Sequence, residues 1–198
     1  MKDSYVAFLR KDNSAIHRNP STVNRLVEIL YEMGLDDILY EITQPKETNR
    51  QIGPLFKSWI DGRALGCKIT TSHEEILNSN DNIVLNTSDK NMKDFARKYL
   101  GYQRDKGLDF IAKFNGKYVI GEAKFLTDYG GHQNSQFNDA INTMTSKFLT
   151  DKEVIPIAIL DGVLYLKNDC KMYREITTKY AEDNILSALL LREFLYSL

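Results

Sequence analysis

GLDFIAKFNGKYVIGEAKF, residues 107–125, is the stretch that decides the fold. Two runs rich in aromatic and β-branched residues flank Asn115-Gly116, and Asn-Gly is the strongest short signal for a two-residue hairpin turn. Such a turn fixes how the two strands pair. Counting outward from it, Asp109 lies directly opposite Glu122, and Lys124 points to the same face because side chains alternate along a strand.

This arrangement predicts a metal site. Two carboxylates that face each other with Cβ atoms about 4.5–5.5 Å apart repel, and a divalent cation between them would compensate. Mg²⁺ takes carboxylate oxygens and keeps water ligands, while a neighbouring ammonium can stabilise a phosphate oxygen or orient an attacking water. Apolar neighbours on both strands indicate an inner part of the sheet, where charges are costly. The alternative is a hairpin whose charged side chains reach solvent beyond the sheet edge.

The segments around the hairpin predict helices and further strands. Helical spacing and end signals favour helices over 21–35, 52–62, 72–80, 88–101, 136–149 and 180–198. Strands are predicted over 81–87, 154–162 and 162–166. This order indicates an α/β fold with a mixed central β-sheet flanked by helices. No Pro/Gly-rich linker interrupts the chain, so we expect a single domain over 1–198. Within it we expect a core over about 91–166 and an N-terminal helical part over 1–90.

Composition narrows the class of protein. The chain is 42% hydrophobic and 27% charged, as globular proteins are, and no apolar run approaches the roughly 18–20 residues of a membrane span. The first residues contain no secretory signal, and Cys67 and Cys170 have no metal-binding spacing, which favours the reducing cytoplasm and argues against zinc. The net charge of −1 does not favour nucleic acid, but residues 91–124 carry eight basic and four acidic residues, which is compatible with a phosphate-lined cleft.

Residues 107–124 resemble the PD-(D/E)XK nuclease superfamily and, within it, the type II restriction endonucleases. There an Asp begins one hairpin strand and (D/E)-x-K lies on the next, matched here by Asp109, Glu122 and Lys124; Leu108 stands where Pro is usual. The resemblance implies a restriction-endonuclease-like core and Mg²⁺ held by Asp109, Glu122 and the Ala123 carbonyl. It also implies that Lys124 positions the nucleophilic water or stabilises the pentavalent phosphate. Many members carry another acidic residue on an upstream helix, for which the candidates are Glu28, Glu47, Glu74 and Glu75.

The loop after the second hairpin strand, DYGGHQNSQ, predicts a DNA-contacting segment. Gly130 and Gly131 would let the backbone approach a phosphate, and a helix N-terminus favours anions. Gln and Asn side chains suit adenine edges. The alternative is a polar loop with a helix cap. The expected DNA-contacting residues are Gln133, Gln136, His132, Asn134, Lys57 and Arg104.

The resemblance implies a type II restriction endonuclease that hydrolyses double-stranded DNA at specific sequences with Mg²⁺, leaves 5′-phosphate ends and defends its host. On this basis we expect residues of about 91–166 to form the catalytic core and the N-terminal part, 1–90, to serve DNA contact or dimerisation. We expect a homodimer, because two hairpin sites would serve the two strands of a palindromic target. We also expect it to be cytoplasmic, without membrane association or an organic cofactor. One alternative is another nuclease on the same core, such as a junction resolvase, a nicking subunit or a repair nuclease. A second alternative is a non-catalytic DNA-binding domain.

Overall fold

A mixed six-stranded β-sheet forms the centre of the protein in the computed structural model, which describes residues 4–43 and 48–198. Its strands are β1 Lys68–Thr70, β2 Ile83–Leu85, β3 Phe110–Phe114, β4 Lys117–Leu126, β5 Val154–Gly162 and β6 Ile185–Leu186. They lie side by side in sequence order. β3 is antiparallel to both of its neighbours, and the remaining neighbouring pairs are parallel. The predicted α/β fold with a mixed central sheet is confirmed.

Helices cover both faces of this sheet. Those of the described residues are α1 Ser4–Lys11, α2 Ser14–Arg18, α3 Pro20–Thr43, α4 Thr48–Asp61, α5 His73–Asn78, α6 Asp89–Leu100, α7 Gly131–Met144, α8 Lys171–Thr177 and α9 Ala188–Tyr196. On one face α4 and α9 pack against Phe110 and Val119. On the other, α5 and α6 pack against Ile111 and Ile120, and α7 continues this layer beside them. Burial of apolar side chains on both faces holds the three layers together.

The central hairpin forms with the predicted register. Asn115 (φ 50°) and Gly116 (φ 83°) both adopt the left-handed backbone that a two-residue type I′ turn requires. Regular pairing extends from this turn to Phe110 opposite Gly121. The turn residues therefore determine which side chains of β3 and β4 share a face.

Asp109 lies one residue beyond the last regular pair. Its amide donates to the carbonyl of Gly121 at 3.3 Å, and its carboxylate Oδ2 accepts from the amide of Ala123 at 3.0 Å. The sequence predicts a regular strand pair between Asp109 and Glu122. At this place the Asp109 side chain instead accepts a hydrogen bond from the Ala123 amide of β4. This contact fixes the Asp109 carboxylate against the start of the Glu122–Lys124 segment.

Glu122 and Lys124 interrupt the apolar side of β4. On this face Ile120 belongs to the apolar cluster under α5 and α6, and Leu126 belongs to the cluster under α7 and α8. Two charged residues separate these clusters because alternate residues of a strand share a face. The sheet therefore presents charge at the boundary between two hydrophobic cores.

Several elements differ from the prediction. Residues 162–166 do not form a strand: Gly162 (φ 104°) turns the chain, and Val163–Tyr165 form a 3-10 helix. The C-terminal helix is shorter than predicted, because β6 lies within the predicted helix and Ser187 caps a helix that starts at Ala188. The short strands β1 and β6 were not predicted, and with β2 they extend the sheet beyond residues 91–166 on both sides.

The long helix α3 bends sharply at Gly34. This residue leaves helical geometry (φ 73°, ψ 167°) where the sequence predicts a helix end, and helix resumes after it as far as Thr43. Leu26 is buried, whereas Tyr31 is 84% exposed and Leu35 is 70% exposed. In the described part of the chain, no helix has the length and apolar character needed to cross a membrane.

Candidate active site

The Lys124 side chain joins the two hairpin carboxylates. Its Nζ lies 2.9 Å from Asp109 Oδ2 and 2.6 Å from Glu122 Oε1, and it donates to the Ala123 carbonyl at 3.2 Å. Only 3% of the Glu122 side chain is exposed, against 16% for Asp109 and 19% for Lys124. One ammonium therefore contacts an oxygen of each predicted metal ligand in a largely water-excluded place.

The environment shifts the ionisation of this cluster. Burial raises the pKa of Glu122, and the nearby charge of Asp109 raises it further against the opposing effect of Lys124. For Lys124, burial alone would lower the pKa, but the charges of Asp109 and Glu122 and the hydrogen bonds to them raise it. Lys124 is consequently an ammonium at neutral pH, which acts as a donor and a positive charge.

Close packing between strands fixes the backbone under the cluster. Gly121 precedes Glu122 and lies against β5, where an added Cβ would approach Cγ1 of Ile157 to 2.9 Å. Glu122 itself is opposite Ala158 in the parallel β4–β5 pair. Because β5 packs this closely, the strand that carries Glu122 and Lys124 has little freedom to move.

Two further charged residues join the cluster, and the sequence did not single them out as site residues. Lys106 Nζ lies 3.3 Å from Glu122 Oε1 and 2.6 Å from Asp139 Oδ2. Lys106 belongs to the loop before β3 and Asp139 to α7. Lys106 precedes Asp109 by only three residues, but nothing in the spacing of residues 131–144 points Asp139 towards the hairpin.

The predicted upstream acidic residues lie elsewhere or outside the described residues. Glu75 pairs with Lys68 at 2.6 Å and also accepts from Thr70, while Glu74 and Glu28 are exposed on α5 and α3. Glu47 lies outside the described residues. In the part of the chain that the structure describes, the further acidic side chain of the cluster is the downstream one, Asp139.

The predicted DNA-contacting residues of the glycine loop fall into two groups. Gln133 is buried and holds the loop, since its Oε1 accepts from the Thr127 amide at 3.2 Å. Asn134 likewise donates to the carbonyl of Tyr129 at 3.1 Å. His132 and Gln136 instead lie on the outer surface at the start of α7, with His132 Nε2 and Gln136 Nε2 3.3 Å apart.

Lys57 and Arg104, the two predicted basic contacts, hold other parts of the protein. Lys57 Nζ lies 2.5 Å from Asp89 Oδ1 and donates to the Thr87 carbonyl at 3.0 Å. Arg104 donates to Thr143 Oγ1 at 2.9 Å and so ties the loop before β3 to α7. Both side chains therefore have protein partners.

The hairpin donors fit a divalent cation. The described residues contain no group of three or more His, Cys, Asp or Glu side chains that could hold a metal ion, so a cation at the hairpin would depend on two side chains together with a backbone carbonyl. The hairpin offers two carboxylates and the Ala123 carbonyl, which are the oxygen donors that hard cations prefer. Glu122 Oε2 is buried and has no hydrogen-bond partner among the described residues, so an acceptor is left for a cation to satisfy.

Comparison with known families identifies the family of the chain. The family model described as Tsp45I type II restriction enzyme matches residues 1–198. The chain belongs to this family. The restriction enzyme is therefore an endodeoxyribonuclease of the PD-(D/E)XK superfamily that acts on DNA, and the sequence-based recognition of its family is confirmed. No curated protein and no solved structure matches the chain.

Proposed function

We propose that this restriction enzyme hydrolyses double-stranded DNA at specific sequences in a Mg²⁺-dependent reaction, with Asp109, Glu122 and Lys124 as the catalytic residues. The observation that supports this is one ammonium in contact with a buried carboxylate, Glu122, and a partly buried one, Asp109, at the boundary between two hydrophobic cores. Such charges are costly to bury, and residues of this kind concentrate at functional sites. We further propose 5′-phosphate ends and a host-defence role in the cytoplasm.

Asp109, Glu122 and the Ala123 carbonyl would hold the Mg²⁺, which supplies Lewis acidity and an activated water when bound. Lys124 contributes the positive charge next to them. Its ammonium donates hydrogen bonds, so beside a scissile phosphate it would stabilise the negative charge that builds up on the phosphate oxygens. The low exposure of Glu122 and Lys124 strengthens these electrostatic effects, because little water competes with them.

For DNA contact we propose the exposed start of α7. His132 and Gln136 lie there beside Gly130 and Gly131, where an added Cβ would meet nothing within 4 Å. Open backbone at the N-terminus of a 14-residue helix suits a phosphate. Gln133 and Asn134 would contribute by holding this loop in shape, and Lys57 and Arg104 by holding the neighbouring segments.

A homodimer is part of the proposal, because each chain carries one hairpin site and duplex DNA has two strands. The exposed apolar side of α3 supports this assignment. A groove of about 410 Å³ at its bend is lined by Val27, Leu30, Tyr31, Gly34, Leu35 and Ile38. Apolar surface of this kind on a soluble domain commonly marks a protein interface.

The proposal is tested by incubating the purified protein with bacteriophage DNA in Mg²⁺ and in EDTA. Discrete fragments that appear only with Mg²⁺ are expected, and the ends of these fragments should carry 5′-phosphates. Nicks alone, or cleavage confined to branched substrates, would favour another nuclease on the same core. Absence of cleavage with Mg²⁺ or Mn²⁺ would favour a non-catalytic DNA-binding domain.

The site assignment has its own test. Asp109→Ala and Glu122→Ala should each abolish cleavage while the far-ultraviolet circular dichroism spectrum stays that of the wild type. Asp105→Ala is the matched control, because Asp105 is an exposed carboxylate four residues before Asp109 that pairs with Lys93. The control should cut DNA like the wild type, and full activity in either hairpin variant would overturn the assignment.

A further inference from the structure

The loop between α6 and β3 holds Lys106 in a fixed place beside Glu122. Two residues before it, Arg104 is anchored to Thr143 of α7. On the other side, Gly107 lies against Asp89, whose Cβ would be 2.8 Å from a Cβ added at Gly107, and Leu108 is fully buried. The backbone that carries Lys106 is therefore fixed on both sides.

Lys106 is shared by two carboxylates. It lies 3.3 Å from Glu122 Oε1 and 2.6 Å from Asp139 Oδ2, and 29% of its side chain is exposed. Asp139 is four residues before Thr143, so both face the same loop from one side of α7. The ammonium therefore has a second anionic partner within contact distance that does not belong to the hairpin.

A cation on Glu122 and the ammonium of Lys106 compete for the same carboxylate. Like charges repel, so a divalent ion would weaken the contact between Lys106 and Glu122 while the contact with Asp139 remains. We propose that Lys106 is a positioning residue that holds Glu122 and competes with the divalent cation for it, and that Asp139 moderates this competition by drawing the ammonium away. The inference rests on the proposed function, because it takes Glu122 to be a metal ligand.

This role predicts that removing the charge of Lys106 and removing that of Asp139 change the affinity for Mn²⁺ in opposite directions. Lys106→Met removes the competing charge and should tighten Mn²⁺ binding about tenfold, the scale of one unit charge acting on a dication roughly 5 Å away in a water-like dielectric. Asp139→Asn leaves Lys106 with Glu122 as its anionic partner and should weaken Mn²⁺ binding about threefold. Lys106→Arg keeps the charge and should stay within about twofold of the wild type.

The measurement is a Mn²⁺ titration of the full-length protein without DNA, followed by the electron paramagnetic resonance signal of free Mn²⁺. Lys117→Met and Glu153→Gln serve as controls. These residues form an ion pair at 3.2 Å near the turn, about 17 Å from Glu122 along β4. Thermal unfolding of each variant checks that it is folded, and the weaker binding expected of Asp139→Asn provides the second test if Lys106→Met does not fold.

A double variant separates this role from a general effect of nearby charge. If Asp139 acts through Lys106, Asp139→Asn should have no effect in the Lys106→Met background, whereas independent charges would give additive changes. Additivity would overturn the proposal, as would unchanged binding in both single variants or weaker binding in both.

Glu122→Gln is titrated alongside, to test the metal site itself. If it binds Mn²⁺ like the wild type, the proposed metal site itself fails. Loss of binding in Glu122→Gln with no effect of Lys106→Met overturns only the role of Lys106.

Discussion

Lys124→Met removes the cation that contacts both hairpin carboxylates and keeps most of the aliphatic side chain. Breaking a buried ion pair by deleting one partner typically costs about 3–5 kcal/mol, because the remaining charge is left uncompensated. Here Lys106 still contacts Glu122, and Asp109 still accepts from the Ala123 amide. We therefore expect the low end of that range, about 3 kcal/mol of unfolding free energy. In a protein of this size, a loss of about 3 kcal/mol lowers the Tm by roughly 6–12 °C.

The same variant should respond more strongly to Mg²⁺ than the wild type. Without the ammonium, the two carboxylates lack their shared positive charge, and a dication would supply it. We expect Mg²⁺ to raise the Tm of Lys124→Met by more than it raises that of the wild type, because tighter binding to the native state adds stability. Cleavage should nevertheless fall about 10²–10³-fold, the usual effect of losing one donor to a transition state.

Differential scanning calorimetry in EDTA and in Mg²⁺ measures both effects. Lys117→Met is the matched control, because its ion pair with Glu153 is more exposed and should contribute about 1 kcal/mol or less. Equal Tm values for Lys124→Met and the wild type in EDTA would refute the reasoning. So would a Mg²⁺-induced rise no larger than that of the wild type.

Three further predictions concern other parts of the chain. Gly162→Ala should lower the free energy of unfolding in urea by about 3 kcal/mol, because the added Cβ would collide with the Leu126 carbonyl. Gly116 also has a positive φ but has open space around it, so Gly116→Ala should cost about 1–2 kcal/mol, and equal losses would contradict this explanation. Burial raises the pKa of the Cys67 thiol to about 11. In a Cys170→Ser background, the rate of alkylation by iodoacetamide should therefore rise about tenfold per pH unit from about pH 8 to 10. A rate that levels off near pH 9 would contradict this expectation. For the proposed dimer, Tyr31→Lys should give a monomer in sedimentation velocity, whereas Leu189→Lys on α9, which is also exposed, should remain dimeric. A stable Tyr31→Lys dimer would place the interface elsewhere.

The hairpin could be predicted because its determinants are local. Asn115-Gly116 adopts the turn backbone that its residue types favour, and the apolar runs on either side form paired strands. Since the turn fixes the register, the shared face of Glu122 and Lys124 also followed from the sequence. The departure at Asp109 could not be predicted, because it depends on a hydrogen bond that the Ala123 amide donates to the Asp109 carboxylate.

The remaining differences arise from tertiary contacts. Lys106 and Asp139 meet where the loop before β3 lies against α7, and the Arg104–Thr143 contact that joins the same two elements links residues 39 positions apart in sequence. The strands β1 and β6 have three and two residues, too few for an alternating pattern to be visible. The predicted strand after β5 was wrong because Gly162 adopts a positive φ that redirects the chain.

Selecting variants of this protein for thermal stability alone would favour the loss of DNA cleavage. Well-packed hydrophobic residues in place of a buried ion pair are often neutral or stabilising by about 1–4 kcal/mol. Leucine and methionine at Glu122 and Lys124, with an uncharged residue at Asp109, would merge the clusters of Ile120 and Leu126 into one continuous core. A library selected only for thermal stability would thus become enriched in stable, inactive variants. Thermostable restriction enzymes of this family must be selected for stability and DNA cleavage together.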